Sequence, residues 1–74
     1  MLVLYGRSPC HLCDLMAEEL RALGVPFDKV DVDADPALAA RYGTRVPVLA
    51  ERDGIEICHG RMDRARLRAR LGLE

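Results

Sequence analysis

Tyr5-Gly-Arg-Ser-Pro-Cys-His-Leu-Cys-Asp-Leu-Met16 is the stretch whose reading decides the fold. Residues 1–5 before it are apolar and β-prone, and Gly6 to Pro9 punctuate the chain. From Cys10 a helical pattern starts: Leu12, Leu15, Met16, Leu20 and Leu23 recur at three- and four-residue steps, as a helix with one buried stripe requires. Pro9 is acceptable at such a start. The spacing predicts Cys10 in the first turn and Cys13 one turn later on the same face. Two thiols placed in this way can close a small disulfide ring or share a metal.

Outward from that stretch, the chain reads as one domain over residues 1–74. Gly24 ends the first helix at positive φ, and Pro26 prevents its resumption. Residues 27–32, Phe-Asp-Lys-Val-Asp-Val, alternate as a half-buried strand that follows a crossover and runs parallel to the first. Asp33 or Asp35 caps a second helix, with Pro36 at its first position and Leu38, Ala39 and Tyr42 inward. Gly43 closes it. Residues 46–50 form a third strand, Asp53-Gly54 a tight turn, and residues 55–58 an antiparallel fourth. Asp63 caps a last helix to Leu71, with Ala65, Leu67 and Leu71 toward the core and Gly72 after it. The order is βαβαββα, an α/β fold.

Composition narrows the function. A chain of 74 residues is near the size where one core is just sufficient. A net charge of −1 gives no general attraction to nucleic acid or to an anionic membrane. The apolar runs are too short to span a bilayer and no cleavable leader is evident, so the expected address is cytoplasmic, where thiols stay reduced. Three cysteines are an odd count, against a secreted disulfide scaffold and in favour of a catalytic or metal-binding pair.

Cys-His-Leu-Cys after the first strand, Arg-Val-Pro before the third, and βαβαββα over the whole chain resemble a glutaredoxin of the thioredoxin fold, in particular the short bacterial glutaredoxin-like proteins. The resemblance implies a three-layer sandwich around a four-stranded mixed sheet, and thiol–disulfide exchange in a monomer. Cys10 is then the nucleophile and Cys13 the resolving thiol. No cofactor is tightly bound, and glutathione enters as a co-substrate. Protein disulfides or glutathione mixed disulfides are the substrates, with glutathione or a reductase as electron donor. The resemblance also implies a cis Pro47, with Val46 pairing to the substrate backbone by β-strand addition. It sets Arg7 near a glutathione carboxylate, and Gly60 and Asp63 at the substrate end of the last helix. The family's paired glycines after strand four are replaced here by Cys58 and His59, and thioredoxin's Trp-Cys-Gly-Pro-Cys and strand Asp have no counterpart around Pro9 and Leu4.

The attacking species must be a thiolate, and a free cysteine near pKa ~8.5 is largely protonated at neutral pH. A helix N-terminus offers an exposed anion about 0.3–1 kcal/mol, less than one pK unit at about 1.4 kcal/mol per unit. First-turn N–H donors, Arg7 and His11 are the further contributors. Two other readings stand beside the enzyme. One is a protein-binding module switched by the Cys10–Cys13 disulfide. The other is a small zinc or cluster protein, because Cys10, Cys13, Cys58 and His59 have the ligand types of a Cys3His site. Neighbours on a strand point to opposite faces, so Cys58 and His59 meet one ion only if the strand has ended. Cys58 otherwise reads as a small buried apolar residue, Tyr5 as a half-buried strand tyrosine, and the arginines of the last helix as a solvated basic side.

Overall fold

In the computed structural model, which describes residues 1–72, the elements follow the expected order. They are β1 (Leu2–Gly6), α1 (His11–Ala22), β2 (Phe27–Asp31), a 3-10 turn (Val32–Ala34), α2 (Pro36–Tyr42), β3 (Val48–Glu51), β4 (Glu56–His59) and α3 (Arg64–Leu71). The sheet order is β2-β1-β3-β4. β1 and β2 are parallel, whereas β1–β3 and β3–β4 are antiparallel. The sheet is therefore mixed, and β4 runs in the same direction as β1.

Alternation along β1 and β3 divides the core. Leu2, Leu4 and Leu49 face α1 and α3, where they pack with Met16, Ala17, Leu20, Ile57, Cys58 and Leu67. Val48 faces the other side, with Val32 and Tyr42 and the half-buried Tyr5, Leu38 and Val46. Full burial of each large apolar side chain contributes about 1.5–3 kcal/mol. A register shift opposite Leu49 and Ala50 is a β-bulge that lets consecutive residues Ile57 and Cys58 both join the first cluster.

Local chemistry sets the element ends. Gly24 has φ +71°, its N–H donates to Arg21 O at 3.0 Å, and Val25 N–H reaches back to Leu20 O at 3.0 Å. This pair of bonds is a Schellman closure. Of the two candidates, Asp35 caps α2, and Asp31 caps the 3-10 turn that cuts β2 short of Val32. The hairpin turns at Gly54, with Gly54 N–H on Glu51 O and Asp53 Oδ1 accepting from Ile55 N–H. β3 begins two residues later than expected, because Pro47 lies ahead of it without an N–H for the ladder.

Burial corrects the expected helix faces. Leu12, Leu15 and Leu23 are 41%, 43% and 44% exposed, and the buried stripe of α1 is Cys13, Met16, Ala17 and Leu20. The apolar pattern of α1 is wider than the sheet can cover, and the sheet takes the side that includes Cys13. In α3, Leu67 is buried and Leu71 half-buried, but Ala65 is exposed. Arg64 pairs with Glu19 at 3.3 Å, and Arg70 with Glu51 and Asp53 at 3.7 and 3.6 Å. No helix among the described residues is long and apolar enough to cross a membrane.

Candidate active site

Cys10 does not lie in the first turn of α1 as expected; it is the N-cap, with extended φ −155° and ψ 107°, and the helix begins at His11. Its Sγ takes the part usually played by a Ser or Asp oxygen and accepts the N–H of Cys13 at 3.2 Å. Its carbonyl accepts from Asp14 N–H at 3.1 Å, starting the helical ladder. Pro9 precedes the cap instead of opening the helix, and the Ser8–Pro9 peptide is cis. Cys10 and Cys13 form a disulfide with Cα atoms 5.2 Å apart. Cys10 is half-buried, whereas Cys13 is 0% exposed. The two cysteines are therefore unequal: Cys10 is partly accessible, and Cys13 is enclosed.

Gly6 makes that enclosure. A Cβ at Gly6 would lie 3.1 Å from Cys13 Sγ and 3.3 Å from its Cβ, so the last residue of β1 leaves room for the second thiol. The sequence marks Gly6 as punctuation and carries no local signal of this approach.

Val46–Pro47 is cis, as the resemblance implied, with Pro47 buried and Val46 half-buried. Gly60, at φ +74°, donates its N–H to Pro47 O at 2.8 Å, tying the turn after β4 to the proline turn. Gly60 also shares a cleft with Leu12, the residue between His11 and Cys13. His11 is exposed on the first turn. The Nη2 of Arg7 donates to Asp33 Oδ1 at 3.1 Å and would be 3.0 Å from a Cβ at Gly43. Ala39 O lies closer still to that position, so Gly43 has no room for a side chain. Asp63 is the N-cap of α3, its Oδ1 accepting Arg66 N–H at 3.0 Å. The structure thus ties Pro47 to Gly60 and holds Gly60 beside the cysteine turn, while Arg7 is engaged by Asp33 and Asp63 by its own helix.

Cys58 and His59 both belong to β4, with Cys58 buried and His59 exposed, so the strand has not ended at the pair. The four-residue zinc set is not assembled: no group of three or more His, Cys, Asp and Glu comes together among the described residues. Burial pushes the Cys58 thiol up from its ordinary pKa. Beside Pro47 and Val46, the Arg45 guanidinium bonds Glu56, which also lies 2.9 Å from His59 Nδ1; the Arg45 bond holds the Glu56 carboxyl below its usual range. Tyr5, half-buried as expected, stacks on Tyr42 at 4.3 Å between ring centroids.

A half-open cysteine at the cap of α1, an enclosed cysteine one turn on, and a cis-proline turn in a βαβαββα sandwich define a protein of the thioredoxin-like, glutaredoxin type. The chain belongs to the glutaredoxin-like domain family (DUF836), which matches residues 1–72. It is similar to protein XcR50 from X. campestris, with 44% identity over 100% of this chain and 99% of that chain and a TM-score of 0.80. Protein Ne2328 from Nitrosomonas europaea is 35% identical over 93% of this chain and 87% of that chain, with a TM-score of 0.84. Buckwheat glutaredoxin, solved as a complex with glutathione, shares the fold at 21% identity and a TM-score of 0.63, over 97% of this chain and 70% of its own. No curated protein matches the chain.

Proposed function

We propose that this protein is a thiol–disulfide oxidoreductase in which Cys10 attacks and Cys13 resolves. The observation that carries this reading is the inequality of the pair: Cys10 is half-buried at a helix cap with a donor on its sulfur, and Cys13 is fully enclosed against Gly6. In the reduced protein, the Cys13 N–H and the first-turn amides stabilise negative charge on Cys10 Sγ. The Cys10 thiolate attacks one sulfur of a substrate disulfide, that S–S bond breaks, and the first substrate thiolate leaves and takes a proton from water. Cys13 then loses its proton to solvent and attacks Cys10 Sγ, and the second substrate thiolate departs. Two electrons pass to the substrate and the Cys10–Cys13 disulfide remains. Two monothiols, glutathione among them, or one dithiol reductase return the pair to thiols. The backbone at Val46 and Pro47, held by Gly60, is the proposed edge on which the substrate chain lies, in the manner of an added strand.

Reduction of a glutathione mixed disulfide and of a protein disulfide, with wild type and Cys10→Ser side by side, tests the reading. Turnover by the wild type and none by the variant supports it. Equal rates for both proteins on both substrates would sink it.

A further inference from the structure

α1 carries an apolar stripe that the domain leaves uncovered. Leu12, Leu15 and Leu23 share this side with Glu19, at steps of three and four residues, and all three leucines are more than 40% exposed. Across from them stands the segment from Gly60 into α3. Between the two is a cleft of about 220 Å³ that holds Leu12 and Leu15 on one side and Arg61 and Met62 on the other. Farther along, a second hollow of about 90 Å³ holds Leu23 on one side and Arg68 and Leu71 on the other. The Arg64–Glu19 ion pair bridges the cleft between them. Glu19 is the acid of this face and is already paired, whereas Arg61 and Arg68 form no ion pair among the described residues.

Taking the thiol-exchange reading above as its basis, we infer that this α1–α3 cleft receives an acidic, leucine-rich segment of the protein whose disulfide Cys10 attacks. Three features choose that occupant. The floor is apolar, so the partner must bring apolar side chains. The rim is cationic, so carboxylates beside those side chains are favoured and ammonium groups are repelled. The cleft starts at Leu12, between the two cysteines, so a chain seated in it delivers a neighbouring disulfide to Cys10. A glutathionyl group has no apolar side chain with which to cover the leucines. The partner this face fits is therefore a protein, and the cleft contributes to KM while the sulfur chemistry stays with the cysteine pair.

The probe is a cysteine-free, helix-forming synthetic peptide rich in Leu and Glu, beside its counterpart with each Glu replaced by Lys. Binding of both to the oxidised full chain is read by fluorescence anisotropy, for wild type, for Arg61→Glu with Arg68→Glu, and for Leu15→Ser with Leu23→Ser. The Glu peptide is expected to bind about tenfold or more tightly than the Lys peptide, the arginine variant to reverse that order, and the leucine variant to weaken both. Versions of the two peptides extended by one cysteine, presented as its glutathione mixed disulfide, should differ in KM and agree in kcat. A small disulfide such as hydroxyethyl disulfide should be turned over equally by wild type and by the arginine variant. Equal binding of the two peptides, or a preference that survives the charge reversal, overturns the assignment. So does a dimer in sedimentation that the leucine variant abolishes, because a second copy then covers the cleft. Silence toward every disulfide with the peptide preference intact overturns the thiol-exchange reading, and with it the partner's role as a disulfide substrate, while the cleft's preference for an acidic, leucine-rich segment stands.

Discussion

The turn from β1 into α1 and the turn from β4 into α3 are built alike and do different things. Both follow strands that run in the same direction, and both launch helices that pack on the same face of the sheet. Each ends in an extended N-cap whose side chain accepts the N–H three residues on, Cys10 Sγ at 3.2 Å and Asp63 Oδ1 at 3.0 Å. At the second turn the acceptor is a carboxyl oxygen, and the result is a helix start. At the first the acceptor is a sulfur, the nucleophile of the proposed reaction once it is reduced, and its neighbour one turn on is a second sulfur. Cap geometry that welcomes an anion is thus common to both turns, and the residue type decides whether it serves stability or chemistry.

The widest separation between the two turns comes from Cys10→Ser. Serine is a good N-cap, so under reducing conditions the variant should melt within a few degrees of wild type while exchange falls to the uncatalysed level, by thermal melts and turnover of a mixed disulfide. Loss of the fold together with the activity would mean that Cys10, like Asp63, is chiefly structural. Cys13→Ser should stop the reaction at a mixed disulfide on Cys10, visible by mass spectrometry as one substrate thiol per chain. Gly6→Ala sets a methyl group 3.1 Å from Cys13 Sγ. The variant should lose about 1–3 kcal/mol in urea melts of the reduced protein and resolve the mixed disulfide more slowly. Asp63→Ala should cost about 1 kcal/mol, or about 4–8 °C in Tm, with kcat unchanged.

The smallest effect concerns Cys58, the third cysteine, packed in the core beneath α1 and α3. Burial raises its pKa in the folded state above that of the unfolded chain. Its contribution to stability is therefore fully present below about pH 8.5 and is lost as pH rises through the raised folded value. In a Cys10→Ser/Cys13→Ser background, Cys58→Ala should flatten the alkaline decline of stability seen in urea melts across that range. An unchanged slope would show that Cys58 stays protonated, or titrates alike, in both states.

Much of this architecture is legible from residues a few positions apart, because caps and turns are satisfied locally. Gly24 with Pro26, Asp35 before Pro36, Asp53-Gly54, and Asp63 with Gly72 each end or start an element where the backbone needs that residue. The Cys-His-Leu-Cys spacing, joined to Val46-Pro47 and the element order, is enough to bring the fold and the redox pair into view. Periodicity misreads α1, however, because a helix with apolar residues around much of its circumference does not declare which side meets the sheet.

The sequence by itself determined the order of the elements, their caps and the pairing-ready spacing of Cys10 and Cys13, since those follow from contacts within about one helical turn or one tight turn. Tertiary structure decided the rest. It buried Cys13 and Ala17 while leaving Leu12, Leu15 and Leu23 open. It brought Gly6 against Cys13, Gly60 to Pro47, and Arg7 to Asp33 across separations that no local pattern encodes. The physical reason is that close packing depends on which faces meet once the sheet has assembled, and a glycine's use is visible only beside the side chain it makes room for.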